Sequence, residues 1–383
     1  MKSDIGAAVV GVGFIGVAHI EALRRIGVEV IGVVGSSPGR AKQKANAANL
    51  PPVFSDLETA LGDPDVDVVH VATPNHLHAE HVRAVLDAGK HVVCEKPLAL
   101  DTAETADLLA RAEASGKVHA VCFNIRFYPL CHQAEALVRT GEIGRPLLVH
   151  GGYIQDWLLL ETDWNWRLES EKAGRLRAVA DIGSHWLDLA RFVTGQRISE
   201  VMADLHTLIP IRRHPPGPVE TFAKTIETDD LIEEEMTSDD AAGVLLRFEE
   251  GARGVLTISQ ISAGRKNSLN LEVDGSAAAL SWYSEDPDRL WIGHRGRPNE
   301  IWQRDPALAT EDVARLIGYP GGHVEGYPDT FRALFAEVYA AVAEGRQPEN
   351  PRYPTFADGH DTVAVTEAVA RSSDERRWVK VER

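Results

Sequence analysis

The most constraining feature of this sequence is a glycine pattern close to its start. An apolar run from Ala7 leads into the segment Gly11-Val-Gly-Phe-Ile-Gly16, and an amphipathic stretch at 19–26 follows, which is typical of a strand, a tight turn and a helix. Gly11 would form the bend, Gly13 would admit a phosphate close to the backbone, and Gly16 would let the helix pack on its strand. A second apolar run at 28–34 completes a βαβ unit and favours a dinucleotide site. The motif residues expected to face the phosphates are Gly11, Gly13, Phe14, Ile15 and Gly16.

Strands and helices continue to alternate through the first third of the chain. Further strands are predicted at 66–72, 91–94 and 117–122, and helices at 38–47, from about 55, at 77–88 and at 102–115. This alternation predicts an α/β fold with a doubly wound parallel sheet of the Rossmann type, whose ligand lies at the carboxyl ends of the strands. We expect a dinucleotide-binding domain over residues 1–125. The further cofactor residues expected at the strand ends are Thr73, Pro74, Asn75, Glu95, Lys96 and Asn124.

The pattern changes after residue 125. A helix is predicted at 126–138, and strands at 146–154, 199–205, 241–248, 253–259, 268–273 and 278–283 follow with few helices between them. Such an order predicts a mostly antiparallel sheet in a second, α+β domain over residues 126–383. Region 206–238 is rich in proline at one end and in acidic residues at the other, and it is predicted to be a loop. This loop would be a lid, an oligomer arm or a solvated excursion.

The composition limits the partners and the compartment. A net charge of -17 argues against a nucleic acid or an anionic membrane as partner, because both need a basic face. The three cysteines, Cys94, Cys122 and Cys131, lack the paired spacing of a disulfide framework or a structural zinc site. This spacing fits a reducing cytoplasm. The histidines at 76, 78 and 81 do not complete a metal site, so no metal is expected. A helix start beside the cofactor is favoured there, with Asn75 near the nicotinamide and His78 among the cofactor residues.

The end of the second strand bears on the choice between NAD and NADP. NAD sites usually place an acid at this point to bind the ribose 2′-hydroxyl, whereas this chain has Gly35, Ser36 and Ser37, followed by Arg40. The serine hydroxyls and Arg40 could hold a 2′-phosphate, which favours acceptance of NADP. Alternatively, Ser36 and Ser37 only cap the helix that begins near residue 38.

Two short segments carry residues suited to proton transfer. Lys96 precedes Pro97, which keeps it extended at a strand end where its ammonium could stabilise an alkoxide. Asp181 and His185 are four residues apart, so on a helix over about 182–193 they share a face, and the carboxylate could orient the imidazole as a general base. Taken alone, a surface lysine, a helix-capping aspartate and a buried histidine with a structural hydrogen bond explain these residues better.

Together these motifs resemble the Gfo/Idh/MocA oxidoreductases, a family that includes glucose-fructose oxidoreductase, inositol dehydrogenase and levoglucosan-dehydrogenase-like members. The resemblance covers nearly the whole chain and rests on four ordered segments, namely 11–16, 72–75 with His78, 89–97 and 181–185. It implies a Rossmann domain, a C-terminal domain whose open sheet often mediates dimers, a nicotinamide cofactor, and sugar or cyclitol substrates. It also implies that Lys96, Asp181 and His185 line the reaction centre. One departure is Gly35, where inositol dehydrogenases place an acid.

An aromatic and polar segment before Asp181 is the expected substrate surface. Its ring faces could pack against sugar C–H groups while its polar groups address hydroxyls, although about half of its tryptophans are expected in the core or in an interface. Residues 152–157 match levoglucosan-dehydrogenase-like members, which supports a sugar pocket. His323 either reaches the same cleft or is a surface loop residue. The other predicted substrate residues are Arg126, Tyr153, Gln155, Asp156, Trp157, Trp166 and Arg167.

The predicted function is NAD(P)-dependent hydride transfer between a sugar or cyclitol carbinol carbon and the nicotinamide. His185 would accept the hydroxyl proton, oriented by Asp181, and Lys96 would stabilise the alkoxide. One alternative is an NAD-dependent glycosidase, which oxidises its substrate, eliminates the aglycone and reduces the ring again. Another is a non-catalytic nucleotide-dependent regulator, which would have no use for these three residues. A homodimer or homotetramer is expected.

Overall fold

The computed structural model describes residues 5–217, 219 and 230–383. The strands, in chain order, are β1 (Gly6–Val10), β2 (Glu29–Val34), β3 (Val68–Val71), β4 (His91–Cys94), β5 (His119–Val121), β6 (Pro146–Ile154), β7 (Ile198–His206), β8 (Ile211–His214), β9 (Ile232–Glu235), β10 (Ala241–Phe248), β11 (Arg253–Ser259), β12 (Ser268–Gly275), β13 (Ala279–Tyr283), β14 (Arg289–Gly293), β15 (Glu300–Gln303) and β16 (Val379–Lys380). The α-helices are α1 (Phe14–Arg25), α2 (Pro38–Ala48), α3 (Leu57–Gly62), α4 (His78–Asp87), α5 (Thr102–Ser115), α6 (Pro129–Arg139), α7 (Ser170–Ala173), α8 (Ser184–Thr194), α9 (Glu311–Ala314), α10 (Tyr327–Ala343) and α11 (Phe356–Glu375). Within these ranges, no helix combines the length and the hydropathy that crossing a membrane would require.

The chain divides into two units. The first contains the chain up to Asn124 together with Tyr327–Val363, and the second contains Ile125–Gly326 together with Ala364–Arg383. The chain therefore crosses between the units three times, whereas the sequence-based division at residue 125 has one crossing. Helix α10 belongs to the first unit because its phenylalanines pack against α1, as the contact between the rings of Phe335 and His19 at 4.8 Å shows. The roles assigned to 1–125 and 126–383 stay predictions.

The described part of the first unit contains a parallel sheet with the strand order β2-β1-β3-β4-β5. Every neighbouring pair of these strands is parallel, which confirms the predicted Rossmann-type sheet. Strands of this kind are buried on both faces, and Val9, Val69 and Val92 are fully inaccessible to solvent. The carboxyl ends of β1, β3 and β4 therefore lie along one edge of the sheet, where the glycine motif and Lys96 follow them.

Capping residues fix the helix boundaries in this unit. The Asp101 carboxylate accepts a hydrogen bond of 2.8 Å from the Glu104 N–H, and Gly116 adopts a left-handed conformation after the last turn of α5. Helix α5 and strand β4 have the bounds predicted from the sequence. The clear caps and the short connections explain why this third of the chain was predictable.

The described part of the second unit is built on a larger sheet with the strand order β15-β14-β13-β12-β6-β11-β10-β7-β16. Only the β6–β11 pair is parallel, so the predicted mostly antiparallel sheet is confirmed. Alternate residues such as Val149, Leu256 and Leu271 face a core that they share with residues of α6, α8 and α11. The residues between them, such as Leu245 and Val255, are exposed on the opposite face.

The prediction of a loop at 206–238 is wrong for part of that region. Strands β8 and β9 pair into a two-stranded antiparallel sheet, in which Arg212 lies opposite Glu234 and Arg213 lies opposite Glu233. The acidic run therefore pairs with a basic strand, and His214 Nε2 of that strand lies 3.2 Å from the Glu234 carboxylate, while Arg213 is paired with Glu161. Residue 218 and residues 220–229 of the predicted loop lie outside the described residues. Strands β14 to β16 and helices α7, α9 and α11 were not predicted.

Candidate functional site

The β1–α1 turn has the geometry that the glycine motif predicts. Gly11 has a φ of +111°, and a Cβ at this position would lie 2.2 Å from the Ala72 carbonyl oxygen. A Cβ at Gly16 would lie 1.9 Å from the Gly11 carbonyl oxygen, so the helix packs too closely for any side chain there. Gly13 precedes the first turn of α1 and has open space around it, while Phe14 is exposed. The start of a helix carries a partial positive charge, so a turn of this shape is suited to a pyrophosphate.

The end of β2 shows why no acid follows it. A Cβ at Gly35 would lie 2.6 Å from the Ala41 Cβ, so the packing of α2 selects glycine at this position. Ser37 caps α2, since its Oγ accepts a hydrogen bond of 3.4 Å from the Arg40 N–H. The capping interpretation of Ser37 is therefore confirmed, while the side chains of Ser36 and Arg40 are exposed to solvent.

Lys96 follows β4 and stands beside a buried carboxylate. The peptide bond between Lys96 and Pro97 is cis. Glu95 is buried, and its Oε2 accepts a hydrogen bond of 3.2 Å from the Lys96 backbone N–H. Burial opposes the charge of this carboxylate, but the hydrogen bond from His19 and the positive charge of Lys96 outweigh it and hold the pKa of Glu95 below its usual value. Glu95 is thus an anion beside the lysine.

Two predicted cofactor residues brace the backbone of the first unit. His78 is buried, with Nδ1 at 2.7 Å from the Pro97 carbonyl oxygen and Nε2 at 2.9 Å from the Thr73 carbonyl oxygen, so it ties the segments after β3 and β4 together. Asn124 is also buried, and its Nδ2 donates a hydrogen bond of 2.8 Å to Thr330 Oγ1. Pro74 and Asn75 are half-buried at the start of the 3-10 turn Asn75–Leu77.

In the second unit, Asp181 lies in a π-helical turn, Val179–Gly183, directly before α8. Its Oδ1 accepts a hydrogen bond of 3.1 Å from Arg167 Nε, and its Oδ2 accepts one of 2.9 Å from Gln260 Nε2. Such π-turns occur often at functional sites. The helix predicted from residue 182 is thus preceded by a wider, π-helical turn. Arg167 and Gln260 fix the Asp181 carboxylate, and the sequence analysis did not identify Gln260. His185 is buried in the first turn of α8, with its ring centre 6.3 Å from that of Tyr153.

The predicted substrate segment is connected through one residue that the sequence did not indicate. Asn267 Oδ1 accepts hydrogen bonds from the Tyr153 hydroxyl at 2.6 Å and from Gln155 Nε2 at 2.8 Å, and Gln155 Oε1 accepts one of 2.9 Å from Trp157 Nε1. Burial raises the pKa of Tyr153, which keeps its hydroxyl protonated. Asp156 is engaged separately, because Lys266 Nζ lies 2.7 Å from its Oδ2. These contacts hold the polar groups in fixed orientations.

Arg167 joins the aromatic residues to Asp181. Its guanidinium carbon lies 4.6 Å from the ring centre of Trp166 and 5.9 Å from that of Trp157, within the range of cation–π contacts. Both tryptophans are half-buried, so each keeps part of its ring accessible. Trp164 is buried and stacks on His214 at 3.9 Å, which makes it a structural tryptophan. The tryptophans therefore divide between accessible and core positions, as expected.

Two predicted substrate residues have other partners in the structure. The buried guanidinium of Arg126 donates two hydrogen bonds to the Asp188 carboxylate and lies over the ring of Phe192, so it braces α8. The side chain of His323 is exposed, and its carbonyl oxygen accepts a hydrogen bond from Arg304. Their contact with a substrate stays a prediction.

A buried ionic network is connected to Asp181 through Gln260. Gln260 Oε1 accepts a hydrogen bond of 3.3 Å from Arg177 NH1, and Arg177 is paired with Asp240. Asp240 also binds Arg212 NH2 at 3.0 Å. The side chains of Arg177, Arg212 and Asp240 are almost inaccessible to solvent, so each charge depends on the others.

Comparisons with known proteins agree with both units. Residues 5–123 match the family model described as an oxidoreductase family with an NAD-binding Rossmann fold, and residues 131–281 match the GFO/IDH/MocA C-terminal domain. The chain is 30% identical to levoglucosan dehydrogenase of Pseudarthrobacter phenanthrenivorans, over 99% of this chain and 98% of the relative. A solved structure of levoglucosan dehydrogenase with NADH and L-sorbose has a TM-score of 0.87 and 29% identity over 99% of both chains. An inositol dehydrogenase homologue from Azotobacter vinelandii, complexed with NAD+, has a TM-score of 0.86 and 26% identity over 98% of this chain and 97% of its own.

Proposed function

The chain belongs to the GFO/IDH/MocA family of NAD-binding oxidoreductases, and from that premise we propose that it oxidises a carbinol carbon of a sugar or anhydrosugar. The observation that carries the choice of a sugar is the arrangement around Arg167. This guanidinium lies against the half-buried rings of Trp157 and Trp166 and binds Asp181. Aromatic faces beside fixed hydrogen-bonding groups are suited to sugars, which present C–H faces and hydroxyl edges.

Three residues carry the proposed chemistry. When bound, the nicotinamide ring supplies the acceptor for the hydride that leaves the carbinol carbon. His185 accepts the hydroxyl proton, and the ammonium of Lys96 stabilises the negative charge that develops on the oxygen. Asp181, fixed by Arg167 and Gln260, orients the imidazole. The β1–α1 turn, from Gly11 to Gly16, would hold the pyrophosphate.

The alternative of an NAD-dependent glycosidase is not favoured. It would use the same residues, but the family relatives reported above are named dehydrogenases. In Glu95 and in Asp181, both carboxylate oxygens accept hydrogen bonds that fix the orientation of the side chain. A purely regulatory role does not explain why these two carboxylates are held in this way. The three cysteines are buried and unpaired, so we place the protein in a reducing compartment.

A substrate panel tests the proposed function. The purified protein is incubated with levoglucosan, hexoses, pentoses and inositols, with NAD and NADP in parallel, and the absorbance of reduced nicotinamide is followed. We expect a steady rise with a sugar or anhydrosugar. Release of an aglycone from a glycoside, with nucleotide required but not consumed, would instead establish the glycosidase.

We propose that the enzyme accepts NADP as well as NAD, with Arg40 as the phosphate ligand. No acid follows β2 to repel a 2′-phosphate, and the exposed Arg40 and Ser36 lie at the start of α2. The variant Arg40→Ala is expected to raise KM for NADP about tenfold and to leave KM for NAD within about twofold, because only the phosphate needs a charged partner. Steady-state kinetics with both nucleotides measures the effect, and Lys42→Ala on the same helix is the control. Equal effects of Arg40→Ala on both nucleotides would refute the assignment.

We also propose that the protein is a homo-oligomer whose interface is the outer face of the large sheet. Leu245 lies opposite Met202 on one neighbouring strand and opposite Val255 on the other, and all three side chains are exposed. An exposed apolar row on a sheet is typical of an interface.

The variant Leu245→Glu is expected to weaken association by about two orders of magnitude, because the charge would be buried between subunits. Analytical ultracentrifugation measures the dissociation constant. Val324→Glu, at an exposed valine outside the strands, is the control. A Leu245→Glu variant that associates like the control would exclude this face.

A further inference from the structure

A line of four buried polar side chains runs through the first unit from the lysine segment to α10. His19 Nε2 lies 3.0 Å from Glu95 Oε1, and His19 Nδ1 lies 3.0 Å from His70 Nδ1. The other nitrogen of His70, Nε2, lies 3.0 Å from the Tyr339 hydroxyl. All four side chains are buried. We call Glu95, His19, His70 and Tyr339 the Glu95–Tyr339 relay.

The direction of the hydrogen bonds in this relay follows from the Glu95 carboxylate when His19 is neutral. The Glu95 carboxylate only accepts, so His19 donates through Nε2–H. In a neutral His19 the Nδ1 then accepts, which requires His70 to donate through Nδ1–H and to accept at Nε2 from the Tyr339 hydroxyl. Burial lowers the pKa of His70 and raises that of Tyr339, so both stay neutral. With a neutral His19, every donor points toward Glu95.

Aromatic rings enclose the relay. The ring of Phe335 lies 4.8 Å from that of His19 and 4.7 Å from that of His70, and Phe331 lies 5.5 Å from His19. The thiol of Cys122 lies 3.8 Å from His19 Nε2, and burial raises the pKa of this thiol, so it stays uncharged. In this apolar enclosure a hydrogen bond to a carboxylate is stronger than in water, and an unpaired polar group is costly.

The far end of the relay reaches the reaction residue. Glu95 Oε1 takes the hydrogen bond from His19, and Glu95 Oε2 takes the backbone N–H of Lys96 at 3.2 Å. The hydrogen bond from His19 therefore sets the orientation of the Glu95 carboxylate. The other oxygen of the same carboxylate holds the main chain at Lys96. Along this line of hydrogen bonds, a change at Tyr339 reaches Lys96 through the two imidazoles and Glu95.

We propose that Tyr339, His70 and His19 form a one-way hydrogen-bond relay that orients Glu95 and thereby positions Lys96 for the reaction. The inference rests on the proposed function, in which Lys96 stabilises the alkoxide. The three residues are positioning residues, since the contacts described above are with one another, with aromatic rings, with the Cys122 thiol and with Glu95. A gradient of effects that weakens with distance from Lys96 distinguishes this role from a general contribution to stability.

The kinetic test compares Glu95→Gln and Tyr339→Phe with Tyr353→Phe. Tyr353 is a second buried tyrosine of the same unit, whose hydroxyl donates a hydrogen bond of 3.1 Å to Gln347, so its loss is a matched control. We expect kcat to fall by about thirtyfold in Glu95→Gln and by about fivefold in Tyr339→Phe, with KM for NAD within about twofold. Tyr353→Phe should keep the kcat of the unmodified enzyme. A Tyr339→Phe variant with the kcat of Tyr353→Phe would overturn the proposal.

Nitrogen NMR of the histidines tests the relay without relying on turnover. In protein labelled with nitrogen-15 at histidine, long-range proton–nitrogen spectra should show His70 protonated at Nδ1 and His19 protonated at Nε2. Tyr339→Phe should shift the His70 signals, whereas Tyr353→Phe should not. His70 protonated at Nε2 would overturn the one-way direction. If the unmodified enzyme reduces no nucleotide with any sugar, the proposed function fails, and these spectra still decide the relay.

Chelation provides the last arm of the test, because His19, Glu95 and Cys122 are also ligand types for a soft metal. Their ligand atoms lie within 4.8 Å of one another. Dialysis of the protein against a strong chelator should leave kcat and the histidine spectra unchanged. If activity is lost on chelation and returns with zinc, the proposed hydrogen-bond relay is wrong and these residues form a metal site.

Discussion

Replacing Lys96 by methionine is expected to lower kcat by about three orders of magnitude while leaving the affinity for NAD within about twofold. The substitution keeps the unbranched apolar stem of the side chain but removes the ammonium, which in the proposed mechanism faces the charge that develops on the substrate oxygen. Loss of one such donor typically costs a factor of about a hundred to a thousand, and loss of its share in proton transfer adds to this. The backbone N–H of residue 96 would still bind Glu95.

Single-turnover kinetics and fluorescence titration with reduced nucleotide measure the two quantities separately. Lys117→Met is the matched control, since Lys117 precedes β5 and lies at the amino end of that strand, away from the edge that carries Lys96. His185→Asn is expected to resemble Lys96→Met, because His185 accepts the proton. If Lys96→Met keeps more than about a tenth of the turnover, the role of the lysine is wrong.

The largest loss of stability is expected from Asp240→Asn. The Asp240 carboxylate pairs with Arg177 and Arg212 and accepts a hydrogen bond of 2.7 Å from the Ile209 N–H. Burial lowers the pKa of Arg212, so its charge already carries a desolvation cost that Asp240 offsets. Removing one partner of a buried ion pair costs about 3–5 kcal/mol, because the remaining charges are left uncompensated.

Urea denaturation of the full chain measures the change in the free energy of unfolding. Asp204→Asn is the control, because the Asp204 carboxylate is mostly exposed and its loss should change the free energy by less than about 0.5 kcal/mol. A change below about 1 kcal/mol in Asp240→Asn would show that the network is not a stabilising unit.

The fold of the first unit was predictable because its signals are local. Strong caps such as Asp101 and turn glycines such as Gly11 specify their own conformation within a few residues. The placement of α10 was not predictable in the same way. The sequence predicts a helix at 329–343, but only the packing of Phe331 and Phe335 against His19 assigns that helix to the first unit.

The second unit shows where charge patterns mislead. The acidic run at 232–235 resembled a solvated segment, yet Glu233 and Glu234 lie opposite Arg213 and Arg212 in a paired strand. Pairing of this kind joins segments about twenty residues apart, and the alternation of hydrophobic residues on which strand prediction depends is missing. Complementary charges on the two flanks of the region were the signal that could have indicated the pairing.

The sequence analysis identified the residues proposed to act in the reaction but not the residues that hold them in place. The glycine motif, Lys96, Asp181 and His185 each stand in a recognisable local pattern. Gln260 and Asn267, which hold Asp181 and the Tyr153–Gln155 pair, come from segments about eighty or more residues away and carry no local signature. Arg126 was assigned to the substrate by its position, and the structure gives it the Asp188 carboxylate as its partner.

The central claim is that a hydride passes directly from a sugar carbon to the nicotinamide. The most direct measurement uses the sugar that supports turnover, deuterated at its ring carbons, and determines the mass of the reduced nucleotide. Our account predicts that the reduced nucleotide gains one deuterium in the unmodified enzyme and that Lys96→Met forms this product about a thousandfold more slowly. Reduced nucleotide without deuterium, or cleavage of a glycoside with the nucleotide left oxidised, would contradict it.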